Sequence, residues 1–184
     1  MTVLGPFATS TDLGARLGRD LLAVEQSQAD RLLADASHLI RMEAGYQQIS
    51  RVDNDTVTLR GSGRTVLKLP QRPVRNVTAI AGLPSTAWEW DGGERLTRTD
   101  GCLWTGPATV TYSHGLDTDD IAYQVAVSVA CDAVKRILAN LDLVRQRSID
   151  DYSETLVDAR ASLLAGEADT IRRAFGVRDW GVSG

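Results

Sequence analysis

A change of hydrophobic period, made twice along the chain, limits the architectures open to it. Up to Ala44 the apolar residues recur at helical spacing, as in Leu32, Leu33, Ala36, Leu39 and Ile40. From Tyr46 to Tyr112 they tend to alternate with polar residues, and after Gly115 the helical spacing returns. The two periods put side chains on incompatible faces, so one stretch does not serve equally as helix and strand. The expectation is an α+β protein: an α-helical bundle with an inserted antiparallel β region, a C-terminal helix and a flexible tail. The expected divisions are 1–45 for the N-terminal helices and 46–113 for the β region. Residues 114–175 hold a long central helix, a linking segment and the C-terminal helix, packing with 1–45 as one helical domain; 176–184 is the tail.

Local signals set the expected elements. Thr9-Ser10-Thr11-Asp12 supplies hydroxyl caps and an early carboxylate for a short helix that carries Leu13 and Leu17 and stops at Gly18. A second helix is expected over 22–44, ended by Gly45, with His38 on it as a structural residue. Residues 56–59, 66–69, 74–80, 88–90 and 108–112 read as strands. Gly61-Ser62-Gly63 and Gly92-Gly93 read as hairpin turns, and Leu96, Leu103 and Trp104 flank a polar loop. Asp119 and Asp120 are expected in the first turn of a helix that runs to Asn140, about 33 Å long. Its apolar residues fall on more than one side, as a central helix requires. Residues 145–155 read as polar and extended, and 166–175 as the last helix.

The motifs that could carry chemistry are better explained without it. Gly61-Ser62-Gly63-Arg64-Thr65 lacks the lysine ending of a phosphate loop and precedes a strand. Tyr112-Ser113-His114-Gly115 sets Ser beside His, but sequence neighbours seldom make a nucleophile–base pair, and no Gly-x-Ser-x-Gly elbow is present. Asp117, Asp119 and Asp120 lack the calcium-loop pattern and read as helix capping. Cys102 and Cys131 share no metal-ligand spacing; Cys131 reads as a core residue and no disulfide is expected. His38 and His114 are too few and too far apart for a metal site. No catalytic, cofactor-binding or metal-binding residue is assigned, and an enzyme is not expected.

Charge narrows the partners. The net charge is −4, from 20 basic and 24 acidic residues, without the basic excess that gripping duplex DNA requires. Lys68 and Lys135 are the lysines and the remaining basic residues are arginine, which protein interfaces favour and which a GC-rich genome also produces. No apolar run approaches the length of a bilayer span, and 1–10 lacks the pattern of a signal peptide. The expectation is no membrane partner and a cytoplasmic setting.

Three segments, in order, carry a resemblance. The first is Val57-Thr58-Leu59-Arg60-Gly61-Ser62-Gly63 running into Leu67-Lys68-Leu69-Pro70-Gln71-Arg72-Pro73-Val74. The second is Val110-Thr111-Tyr112-Ser113-His114-Gly115, followed by acidic residues and a long helix. The third is Arg147-Ser148-Ile149-Asp150-Asp151-Tyr152-Ser153. With helices before and after, the chain resembles the head–tail connector (adaptor) family of long-tailed phages, over roughly 9–175. The resemblance implies a structural subunit of a homo-oligomeric ring, usually a dodecamer, in the virion neck at the capsid–tail junction, assembled in the host cytoplasm. Such a ring sits beneath the portal protein and joins it to a stopper or tail-completion protein. Genomic DNA passes through its lumen without specific binding.

The expected subunit and portal contacts lie late in the chain. Arg145, Arg147, Ile149, Asp150 and Tyr152 belong to the linking segment, where arginine and tyrosine suit contacts with a neighbour. Arg172 and Phe175 belong to the last helix. Trp180 in the tail is a candidate anchor, because Trp is enriched among residues that dominate interface energies. Other readings stay open: a stopper or tail terminator, which is usually more β-rich; a DNA-binding packaging protein, which needs a basic recognition helix; and a small enzyme with a scattered site.

Overall fold

The computed structural model describes residues 4–147 and 161–176, with the backbone alone for 140–147. The protein is α+β, with four α-helices and two small antiparallel sheets among the described residues. It divides into two compact units: Gln47–Asp120, and the chain on either side of it.

The outer unit is helical. Helix α1 is Ser10–Leu17, α2 is Ala23–Glu43, α3 is Ile121–Arg147 and α4 is Ala165–Ala174. Thr9 caps α1 reciprocally with Asp12: the Asp12 amide donates to Thr9 Oγ1 at 3.2 Å, and the Thr9 amide donates to Asp12 Oδ2 at 2.8 Å. Gly18 ends the helix at φ 69°, a conformation glycine adopts without a steric penalty. At the start of α2, Glu25 reaches back to accept from the Leu22 amide at 2.9 Å. Leu13, Leu33, Ala36 and Ile40 are fully buried, as are Ala126, Ala130, Ala133 and Val134 of α3 and Ile171 of α4. The alanines on α3 let its neighbours approach closely. Cys131 lies in this core and Cys102 is exposed in the other unit; both are free thiols.

The inner unit holds six strands. Strands β1 (Val52–Arg60), β6 (Pro107–His114) and β3 (Val74–Ile80) make one sheet in the order β1-β6-β3. Strands β2 (Val66–Lys68), β5 (Arg95–Arg98) and β4 (Trp88–Trp90) make the second, in the order β2-β5-β4. On β6 burial alternates strictly: Ala108, Val110, Tyr112 and His114 point inward. On its other face hydroxyl pairs Thr58–Thr109 and Thr56–Thr111 lie at 2.9 and 3.3 Å, a cross-strand pairing that supports the register. Leu67, Leu69, Leu96 and Trp104 join Val110 and Tyr112 in one core shared by both sheets.

The strands form two sheets. Four expectations are corrected. Leu96, expected only to flank a polar loop, lies fully buried in the central strand β5, Arg95–Arg98. Gly61-Ser62-Gly63 is not a hairpin turn, because β1 and β2 belong to different sheets. The chain crosses between them at Gly61, zipped against 104–106: the Gly61 amide donates to the Gly106 carbonyl at 3.0 Å and the Gly63 amide to the Trp104 carbonyl at 2.8 Å. Asp119 and Asp120 precede α3 rather than occupying its first turn, and Asp120 Oδ2 accepts from the Asp117 amide at 2.8 Å. Finally α3 runs past Asn140 to Arg147, so Arg145 and Arg147 are helical and not extended. The physical reason is that Leu141, Leu143 and Val144 keep the apolar period, and no Gly or Pro occurs between Gly115 and Gly166. Among the described residues no helix is long and apolar enough to cross a membrane.

Candidate functional site

The expected contact residues fall in three groups. Arg145 and Arg147 lie in the last turn of α3. Ile149, Asp150, Tyr152 and Trp180 lie outside the described residues. Arg172 and Phe175 lie at the end of α4, where their surroundings are defined.

Helix α4 is clamped near both ends by ion pairs. Arg172 Nη2 donates to Glu43 Oε2 of α2 at 2.8 Å, and Arg172 Nη1 to Asp169 Oδ1 at 3.1 Å. Arg172 is thus engaged by two carboxylates of its own chain. Phe175 is half-buried, and its amide closes the helix onto the Ile171 carbonyl at 3.0 Å. At the other end Arg136 of α3 grips Glu167 with both Nη atoms, at 2.5 and 3.1 Å, and also donates to the Ser162 carbonyl at 3.0 Å. Glu167 Oε2 accepts the Leu164 amide at 2.8 Å as well. Burial alone would raise the Glu167 carboxyl; Arg136 and that amide outweigh it and hold the group below its ordinary value. Arg136, Glu167 and Glu43 carried no signal as a cluster, because they sit on three different helices.

This clamp has a pH signature. A carboxyl held low in the folded state contributes stability above its unfolded value of 4.5, lost as pH falls through the lower folded value. Arg136→Ala is expected to lower stability by about 1–2 kcal/mol at pH 7. At pH 3 the deficit should shrink, since protonation of Glu167 weakens the pair in the wild type too. Urea melts followed by circular dichroism at both pH values measure this; an equal deficit at each would sink it.

The motifs of the inner unit assemble no reaction centre from the groups they suggested. Strand alternation sends Ser113 and His114 to opposite faces: Ser113 Oγ accepts from the Asn54 amide at 3.1 Å, while His114, fully buried, sets Nε2 3.1 Å from Asp55 Oδ2. Tyr112 packs against His114 at 5.0 Å between ring centres, and burial pushes its phenol up to about 12. Asp117 serves as an ion-pair hub, with Arg51 at 3.0 Å and Arg75 at 2.7 Å, which holds its carboxyl below the ordinary range. Its carboxylate is therefore spent on arginines, not on a helix cap. Arg98 pairs with Asp100, holding that carboxyl down to about 2, and lies over the Trp104 ring at 5.2 Å. The shallow cleft beside this pair, about 180 Å³ and lined by Ile80, Leu83, Leu103 and Trp104, is smaller than the roughly 300 Å³ that small-molecule sites need. No group of three or more His, Cys, Asp or Glu is placed to hold a metal ion among the described residues.

Around α4 the described surface therefore offers arginines paired within the chain, Arg136 with Glu167 and Arg172 with Glu43 and Asp169. No protein-family model matches this chain, and no curated protein matches it in sequence.

Proposed function

We propose that this protein is a head–tail connector (adaptor) subunit of a long-tailed phage, a structural protein whose copies form a ring beneath the portal and join the capsid to the tail. In this reading the outer unit is a helical bundle that carries the inner unit as an inserted β region. The observation that carries the reading is the chain order: two helices, a contiguous antiparallel unit, then a long helix ending at Arg147, with the Val57–Val74 and Val110–Gly115 resemblance segments falling on β1–β3 and on β6. Charge supports the same reading. Twelve copies at −4 sum to about −48, a field that repels DNA and suits a conduit that must not hold its cargo. A closed ring needs two different faces on each subunit.

The test is imaging of the neck in particles made from the genome that encodes the chain. The expected result is a ring of about twelve copies between portal and tail. Purified particles free of the protein would end the proposal. Fluorescence anisotropy with duplex DNA at about 0.15 M salt should show no specific binding, as the missing basic excess requires.

A further inference from the structure

An irregular segment at the start of the described chain lies across the helical unit. Phe7 is 6% exposed and Ala8 2%. The Phe7 ring meets Tyr123 of α3 edge-on at 5.8 Å, and the Arg41 guanidinium of α2 lies over its face at 4.4 Å. The Phe7 amide donates to Ser37 Oγ at 3.0 Å, and Arg41 Nη2 donates to the Gly5 carbonyl at 2.6 Å. Residues 4–8 are thus held as a foreign peptide would be, by one aromatic anchor and two main-chain hydrogen bonds.

This segment leaves Arg41 unsatisfied. Arg41 is 6% exposed, yet its Nε and Nη1 have no hydrogen-bond partner among the described residues. Burial draws the guanidinium below its ordinary value. Buried charges are ordinarily paired, and the natural partner of a guanidinium is a carboxylate gripped by two parallel N–H groups. Nη2 belongs to both edges that make such a grip, and the Gly5 carbonyl sits on it. Lifting the segment opens both edges and empties the ring site beside Tyr123.

The chain carries a segment of the matching chemistry. Asp150-Asp151-Tyr152 sets two carboxylates beside an aromatic ring. It does not reach the slot of its own subunit. From Tyr123 to Arg147 α3 rises about 36 Å, while the chain from Arg147 to Asp151 spans at most about 14 Å fully extended. Arg41 lies only two ring contacts from Tyr123, so the shortfall stands.

We propose that residues 4–8 are a self-bound strap over a carboxylate-receiving slot at Ser37, Arg41 and Tyr123, and that the slot takes the Asp150-Asp151-Tyr152 segment of a second copy when subunits assemble. The inference rests on the ring reading above and deepens it. One copy's segment meets another copy's slot, which is the head-to-tail contact a ring uses. The strap keeps the free subunit from premature association.

The test uses the full chain with Ser153→p-benzoylphenylalanine, irradiated across a concentration series. Cross-linked peptides are located by mass spectrometry and assemblies are imaged by electron microscopy. The expected result is an intermolecular cross-link to the peptide holding Ser37 and Arg41. It should be about fivefold more abundant after Phe7→Ala and about fivefold less abundant after Asp150→Asn with Asp151→Asn. Phe7→Leu, which removes the ring contacts with Tyr123 and Arg41 while keeping apolar bulk, stands in if Phe7→Ala does not fold. Cross-links confined to single chains, or directed elsewhere, overturn the slot. A ring without the slot cross-link overturns the slot and leaves the ring reading in place. The slot cross-link without a ring upholds the slot contact and overturns the ring. Neither one overturns both.

Discussion

Gly61→Ala should lower stability by about 3 kcal/mol or more, an effect far outside that of an ordinary glycine replacement. A methyl group at this position would stand 2.3 Å from the Trp104 carbonyl oxygen and 2.6 Å from that of Gly106. Both obstacles are backbone, and both oxygens accept hydrogen bonds from the Gly61–Gly63 stretch, so neither can retreat without breaking the zip between the sheets. Gly106→Ala is the control: nothing lies within 4 Å of the added carbon, and its effect should stay within about 0.5 kcal/mol. Urea denaturation followed by tryptophan fluorescence measures both, since Trp88, Trp90 and Trp104 lie in this unit. Equal midpoints for the two variants would remove Gly61 from its assigned role.

The second large effect is expected at Ile171. This residue is fully buried and is the main apolar anchor of α4. Ile171→Ala should cost about 2–5 kcal/mol, the lost transfer energy plus a cavity. The consequence should be local first. Helix α4 has 10 residues, too few to stay helical in water without packing. Amide hydrogen exchange should therefore accelerate across 165–174 before the rest of the unit melts. Thr170→Ala, one residue away on the exposed face, should change stability by no more than about 0.5 kcal/mol. Unchanged exchange in Ile171→Ala would mean that the ion pairs of Arg136 and Arg172 hold the helix by themselves.

Elements whose determinants are neighbours in sequence were legible. Thr9 and Asp12 cap α1 from three residues apart, and Gly18 and Gly45 mark the ends of α1 and α2. Strand β5 was not legible, because Arg95-Leu96-Thr97-Arg98 has one apolar residue, and its strand state depends on pairing with β2 and β4 on either side. Gly61 has the sequence look of a turn, and only the arrival of 104–106 makes it a crossing point. The aspartates before α3 looked like caps because charge near a helix start is read locally, whereas Arg51 and Arg75 come from other strands to claim Asp117. The same holds for the expected contact residues. Arg172 was visible as a charge on the last helix, but Glu43, which occupies it, lies far away in sequence.

The position of β6 also bears on how the polypeptide is made. Val57 pairs with Val110, and Ile80 with the same residue from the other side, so the last strand to be synthesised is the one in the middle. On the ribosome β1 and β3 wait, with their apolar side chains wet, until residue 114 clears the exit tunnel. Pairings so distant along the chain form slowly, and waiting strands attract one another between molecules. Overproduction at lower temperature, where elongation slows and aggregation weakens, should therefore raise the soluble yield.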